Sequence, residues 1–97
     1  MRISYYVFPD DMPLRKCYAA WLNVIGSNKN ANDYTDVEIE RRFEREQTCK
    51  ISTAKKLLKK FGGRAFTEHY ERDGGLFEVT PIELTGNNSW FKYNRHL

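Results

Sequence analysis

The Asp73-Gly74 pair constrains the fold of this 97-residue chain more than any other feature of the sequence. Two runs rich in β-branched and aromatic residues flank it, at 64–72 and 76–84. Asp-Gly between two such runs favours a type I′ turn, which joins neighbouring antiparallel strands into a β-hairpin. The chain is therefore expected to contain an antiparallel sheet.

The register of this hairpin predicts which of its side chains share a face. A two-residue turn places Tyr70 opposite Phe77 and His69 opposite Glu78. Since side chains alternate between the two faces of a strand, the larger apolar residues of the hairpin fall on one face. We assign that face to the core, and it carries Phe66, Tyr70, Phe77 and Val79.

A strand and a helix are predicted ahead of the hairpin. Residues 2–8 are mostly β-branched and aromatic and stop at Pro9, which indicates a strand. Apolar residues then recur at helical spacing from 14 to 25, and Gly26 supplies the left-handed residue that commonly ends a helix.

The segment that follows admits two interpretations. Thr35 and Glu38 have the spacing of a capping box, which predicts a second helix over residues 35–47. The apolar residues of this segment also nearly alternate, so a strand over residues 36–47 remains the alternative.

A third helix is predicted up to Phe61, with Ser52 or Thr53 as its N-cap and Gly62-Gly63 as its end. Its apolar stripe consists of Ala54, Leu57, Leu58 and Phe61. Its opposite face carries Lys55, Lys56, Lys59 and Lys60.

These elements follow one another as β-α-α-α-β-β, with 90–93 as an optional last strand, and predict a single α+β domain over residues 1–97. We expect a three- or four-stranded, mainly antiparallel sheet packed by helices. The first strand should join the hairpin, because a lone strand cannot satisfy its backbone hydrogen bonds. The other core residues expected are Tyr5 or Tyr6, Phe8, Leu14, Tyr18, Trp21, Leu22, Ile25, Phe43, Leu57, Leu58 and Phe61.

Two helices joined by a short turn and followed by a hairpin make residues 35–84 resemble winged-helix DNA-binding domains in outline. The resemblance implies that the second helix of the pair enters the major groove and that the hairpin acts as a wing. The alternative interpretation is a solvated lysine face on an amphipathic helix. The residues that we predict to contact nucleic acid are Lys55, Lys56, Lys59, Lys60, Arg64, Lys92 and Arg95.

Composition and motifs favour binding over catalysis. The formal net charge of +3 permits an acidic partner without requiring one. Two cysteines are too few for a disulfide scaffold, and the chain has no metal-ligand, nucleotide-binding or nucleophile motif. His69 and Glu78 alone suggest acid–base chemistry, and we prefer to interpret them as a surface cross-strand pair. We expect a cytoplasmic, non-enzymatic protein without cofactor, metal or membrane span.

A protein partner is the alternative to nucleic acid. Trp90, Phe91 and Tyr93 stand among the cations Lys92 and Arg95 near the end of the sequence. Aromatic residues beside cations suit single-stranded nucleic acid and protein interfaces alike, and the alternative is that Trp90 and Phe91 complete the core. The alternative function is therefore a small protein–protein interaction module, such as an inhibitor, an antitoxin or a phage-type accessory protein.

Overall fold

Three α-helices and four strands lie in the part of the chain that the structure describes, residues 1–84 of a computed structural model. The strand expected over 90–93 and the predicted contacts Lys92 and Arg95 lie outside these residues. The mixed α+β class is confirmed. The elements are β1 (Arg2–Val7), α1 (Leu14–Val24), a 3₁₀ turn (Ala31–Asp33), α2 (Asp36–Arg42), β2 (Glu46–Thr48), α3 (Ile51–Phe61), β3 (Arg64–Tyr70) and β4 (Leu76–Pro81).

The four strands form one antiparallel sheet in the order β2-β1-β3-β4. As predicted, β1 joins the hairpin that β3 and β4 form. In this position β1 pairs on both sides, with Tyr6 opposite Ala65 of β3 and opposite Gln47 of β2. The first strand is thus a central strand, and its backbone is hydrogen-bonded along both edges.

Three helices pack beside this sheet. α3 lies against β1 and β3, and α1 lies against α2. The longest helices, α1 and α3, have 11 residues each. Within residues 1–84, none of the helices combines the length and the apolar character needed to cross a membrane.

The segment 35–47 contains both a helix and a strand. The capping box forms as predicted, with Glu38 N–H donating to Thr35 Oγ1 at 3.2 Å and Thr35 N–H donating to Glu38 Oε1 at 2.8 Å. The prediction that the helix continues to residue 47 is wrong. Phe43 is extended and buried, and the Arg45 carbonyl accepts from Phe8 N–H at 3.1 Å, so the chain leaves the helix to pair with β1.

That strand also changes the relation between α2 and α3. In the outline of a winged helix a short turn joins the two helices, whereas here β2 is inserted between them. α2 and α3 therefore do not form the two-helix unit on which the resemblance was drawn.

The hairpin turn is one residue longer than predicted. Glu71 N–H donates to the Gly75 carbonyl at 2.8 Å, and Gly74 has a φ of 90°. Phe77 is an extra residue in β4, so Leu76 rather than Phe77 lies opposite Tyr70. The longer turn and the extra residue in β4 compensate for each other, so that His69 lies opposite Glu78, as predicted.

The core lies on the opposite face of the hairpin from the one predicted. Ala65 and Thr67 of β3 are buried under the helices, because their small side chains leave room for α3. The core residues predicted in the hairpin are wrong, since Phe66 and Tyr70 are only half-buried and Phe77 and Val79 are exposed. Ile25 is exposed as well.

The rest of the predicted core is largely confirmed. The residues of that prediction that are buried are Tyr6, Phe8, Tyr18, Leu22, Phe43, Leu57 and Leu58. Leu14, Trp21 and Phe61 are half-buried and pack against this cluster. The aromatic rings of Tyr6 and Phe8 meet edge to face, with their centroids 4.8 Å apart.

Candidate nucleic-acid interface

The candidate interface is built on α3, whose start is set by the sheet. Cys49 N–H donates to the Ser4 carbonyl at 3.0 Å, which keeps the chain extended beside β1 as far as Lys50. The helix therefore begins at Ile51 with Lys50 as its N-cap, and no side chain caps it. The prediction of Ser52 or Thr53 as the cap is wrong, because both lie within the first turn.

One side of α3 is buried, and every charged residue on its other side is a cation. Ala54, Leu57 and Leu58 are buried against β1 and β3, as the helical spacing predicted. The four lysines of α3 are exposed on its solvent side, and we call them the lysine face: Lys55, Lys56, Lys59 and Lys60. The structure thus places all four predicted lysines together on one rigid element.

The positive charge of the protein is concentrated around this helix. Residues 50–64 contain six Lys and Arg and no Asp or Glu. The remainder of the chain has ten Lys and Arg against thirteen Asp and Glu, so it is net acidic. Among residues 1–84, the ion pair joins Arg15 to Asp36, and His69 joins Glu78 in a second one only when its imidazole is protonated; neither includes a residue of the lysine face.

Arg64 is separated from the lysine face. It begins β3 opposite Val7, and the alternation of side chains directs it away from its buried neighbour Ala65. It shares a face of β3 with Phe66 and Glu68, and the three line a shallow depression that also reaches Leu58 of α3. The structure therefore does not bring Arg64 together with the four lysines.

The hairpin, which the resemblance treats as a wing, is rich in carboxylates. Glu71, Asp73 and Glu78 are all exposed along it. His69 Nδ1 and Glu78 Oε1 are 4.0 Å apart, which is beyond hydrogen-bonding distance. Within the described residues, no three His, Cys, Asp or Glu side chains are grouped so that they could hold a metal ion.

A second basic feature was missed in the sequence. A groove between α1 and the end of α3, which we call the α1–α3 groove, has Lys16 and Lys60 among its lining residues. Its apolar lining includes Met12, Ala19, Ala20 and Phe61. Nothing in the sequence indicated that α1 and the end of α3 flank one groove, because these elements are distant in the chain.

The sheet face opposite the helices, which we call the open face, has a different character. The rings of Tyr5 and Phe66 stack with centroids 5.2 Å apart. Tyr70 Oη donates to Glu68 Oε1 at 2.7 Å, and this bond raises the pKa of Tyr70 to about 12. The pKa of Tyr5 is also raised, first by burial and then by the nearby Glu68 carboxylate. A carboxylate among aromatic rings is a poor site for phosphate.

Comparison of the chain with protein-family models, with curated proteins and with solved structures finds no match.

Proposed function

We propose that the protein binds the phosphate backbone of nucleic acid through the lysine face of α3. The observation that carries this proposal is the grouping of four exposed lysines on a helix whose apolar side is fixed against the sheet, within a segment, residues 50–64, that contains no carboxylate. Lysine contacts phosphate as a point charge on a flexible stem and does not read base edges. Binding is therefore expected to be independent of sequence.

The hairpin has no part in the proposed contact. Its exposed carboxylates Glu71, Asp73 and Glu78 repel phosphate, and Arg64 lies on the other side of the sheet from the lysine face. Within residues 1–84, the contact set is reduced to Lys55, Lys56, Lys59 and Lys60. Four phosphate contacts correspond to a slope of about −3 in log K against log salt concentration.

The test is a fluorescence-anisotropy titration of labelled DNA between about 50 mM and about 300 mM NaCl, where counterion release dominates affinity. The test variant changes Lys55, Lys56, Lys59 and Lys60 to Gln, which removes four charges but retains good helix formers. The matched control changes four exposed cations outside α3 to Gln: Arg2, Lys29, Arg41 and Arg72.

Both variants have the same net charge, so the comparison separates a local surface from a general charge effect. We expect the lysine-face variant to lose binding at the lowest salt concentration and the control to bind within a few-fold of the unchanged protein. Equal weakening of both variants, or no binding by the unchanged protein at the lowest salt concentration, would rule out the proposed surface.

A protein partner on β4 is the second candidate. Leu76, Phe77 and Val79 are 52%, 58% and 51% exposed, and within residues 1–84 β4 pairs only with β3. An apolar edge strand is a site at which another chain adds a strand. Salt-insensitive association with a folded protein, lost in Val79→Lys and kept in the lysine-face variant, would favour this function.

A further inference from the structure

The α1–α3 groove combines a cationic rim with an apolar floor beside the lysine face. Lys60 belongs to both features, since it is part of the lysine face and also lines the groove. Lys16 adds a second cation from α1. We propose that this groove receives one unpaired base of a single-stranded nucleic acid whose phosphates lie on the lysine face. The inference rests on the proposed function and specifies its ligand.

Charge favours a phosphate-bearing ligand at the rim. Both lysines are exposed, and Asp11 is the single carboxylate among the residues that the structure places around the groove. A strand that follows the lysine face along α3 reaches Lys60 at the end of the helix. From there Lys16 provides the next cation, so the phosphates on either side of the inserted base both have a partner.

The floor of the groove suits a flat aromatic ring. Ala19 and Ala20 present only methyl groups, which leave space above the helix backbone, and Met12 adds a flexible apolar side chain. Phe61 is half-buried and supplies an aromatic surface. A base that stacks on such a ring contributes substantially to single-strand affinity, whatever its identity.

Polar contacts at the rim complete the recognition. Asn23 is exposed beside the groove, and its carboxamide both donates and accepts hydrogen bonds, so it suits the edge of any base. Lys60 Nζ lies 5.5 Å from the centroid of the Phe61 ring. Its long side chain covers the aromatic surface in the free protein and can move to a phosphate when a base takes its place.

Base pairing and stacking make the groove selective. Bases within a duplex are stacked and paired, and bringing one into the groove requires that it be unstacked first. The lysine face alone binds both forms and favours the duplex, whose phosphates are more densely spaced, whereas the groove binds only the single strand. The preference for single-stranded DNA therefore measures the contribution of the groove.

The experiment compares binding of a single strand of about 12 nucleotides with binding of a duplex of the same length, a size typical of one small binding domain. The single strand carries 2-aminopurine, whose emission falls when it stacks. The test variant is Ala19→Met, which fills the groove from an exposed helix position without a change of charge. Its control is Val37→Met, which adds a similar side chain at an exposed position of α2.

We expect Ala19→Met to weaken single-strand binding about tenfold, the loss of one stacked base, and to leave duplex binding unchanged. The quenching of 2-aminopurine should disappear with it, and Lys16→Gln should weaken the single strand more than the duplex. Val37→Met should match the unchanged protein in every measurement.

The remaining outcomes separate the two proposals. No binding of either DNA would overturn the proposed function and the groove with it. Binding of both DNAs with equal affinity, insensitive to Ala19→Met and without quenching, would overturn the groove and leave the lysine face standing.

Discussion

Tyr5 and Tyr6 are neighbours in β1, but they lie on opposite faces of the sheet in very different surroundings. Tyr6 is fully buried beneath the helices, and its hydroxyl donates to the Gly62 carbonyl at 2.7 Å. Tyr5 is half-buried on the open face and stacks on Phe66. The comparison shows that apolar content does not determine which face of a sheet the helices cover, because both faces carry large aromatic residues.

Space beside the strands distinguishes the two faces. On the covered face β3 presents Ala65 and Thr67, and Thr67 Oγ1 is 2.9 Å from Ser4 Oγ of β1. Small side chains that bond to each other let α3 approach the sheet closely and leave no unsatisfied polar group. On the open face the same strand presents Phe66 and Tyr70, which fill the space that a helix would need.

The largest expected difference in the free energy of unfolding is between alanine variants of two phenylalanines, one buried and one exposed. Phe8 is 1% exposed and Phe77 is 58% exposed. Phe8→Ala removes a buried ring and leaves a cavity, which lowers the free energy of unfolding by about 3–5 kcal/mol. Phe77→Ala removes a ring that is mostly in water and should change it by about 0.5 kcal/mol or less. Urea denaturation of both variants measures these values.

That pair of variants also tests whether β4 is structurally passive. If Phe77→Ala lowered the free energy of unfolding as much as Phe8→Ala, Phe77 would belong to a packed layer. The contrast between the covered core and the exposed β4 would then fail. The expected result leaves Phe77 available for a partner, in line with the second candidate function.

A smaller difference is expected between the adjacent glycines that link α3 to β3. Gly62 and Gly63 have φ values of 81° and 84°, so alanine is strained at either position. A Cβ at Gly62 meets nothing within 4 Å, whereas one at Gly63 collides with the Val7 carbonyl and lies 3.0 Å from the Tyr6 hydroxyl oxygen. Gly62→Ala should cost about 1 kcal/mol and Gly63→Ala about 2–4 kcal/mol, measured by urea denaturation.

Equal costs at the two glycines would show that backbone strain alone matters there and that β1 does not closely approach the linker. A larger cost at Gly63 than at Gly62 would place the tight contact between β1 and the linker at Gly63, beside the Tyr6 hydroxyl.

Local patterns in the sequence were sufficient to predict most elements of the fold. The helical spacing predicted α1 and α3, the Thr35–Glu38 capping box predicted the start of α2, and the Asp73-Gly74 pair predicted the hairpin. Each of these signals depends on residues only a few positions apart. The exposure of the lysine face followed from the same helical spacing, because the four lysines lie opposite the apolar stripe of α3.

The predictions that failed depend on contacts distant in sequence. α2 ends early because β1 recruits residues 46–48 as a strand, which the spacing around Phe43 does not reveal. The covered face of β3 was misassigned because alternation along the strand only sorts its side chains into two faces. It does not indicate whether α3 covers the face of Phe66 and Tyr70 or the opposite one. Lys16 was missed for a similar reason, since only the packing of α1 and α3 creates the groove.

The smallest expected difference in the free energy of unfolding is between phenylalanine variants of Tyr6 and Tyr5, and it depends on pH. Burial raises the pKa of Tyr6 to about 12, above the value of about 10 for a tyrosine in an unfolded chain. Its contribution to stability is therefore complete below about pH 10 and is lost as the pH rises toward 12, because the unfolded chain ionises first. Tyr6→Phe removes both this ionisation and the bond to the Gly62 carbonyl.

At neutral pH, Tyr6→Phe should lower the free energy of unfolding by about 1 kcal/mol, since it removes the hydrogen bond from the buried hydroxyl to the Gly62 carbonyl. Above about pH 10 the unchanged protein loses stability faster than the variant, so the difference between them narrows. Tyr5→Phe serves as the control, with a smaller loss at neutral pH because Tyr5 is half-buried. Urea denaturation at a series of pH values provides the test.

The stability difference between Tyr6→Phe and the unchanged protein could instead stay constant from neutral to alkaline pH. Tyr6 would then ionise as freely as an exposed tyrosine, and the covered face would not be closed to water at its centre.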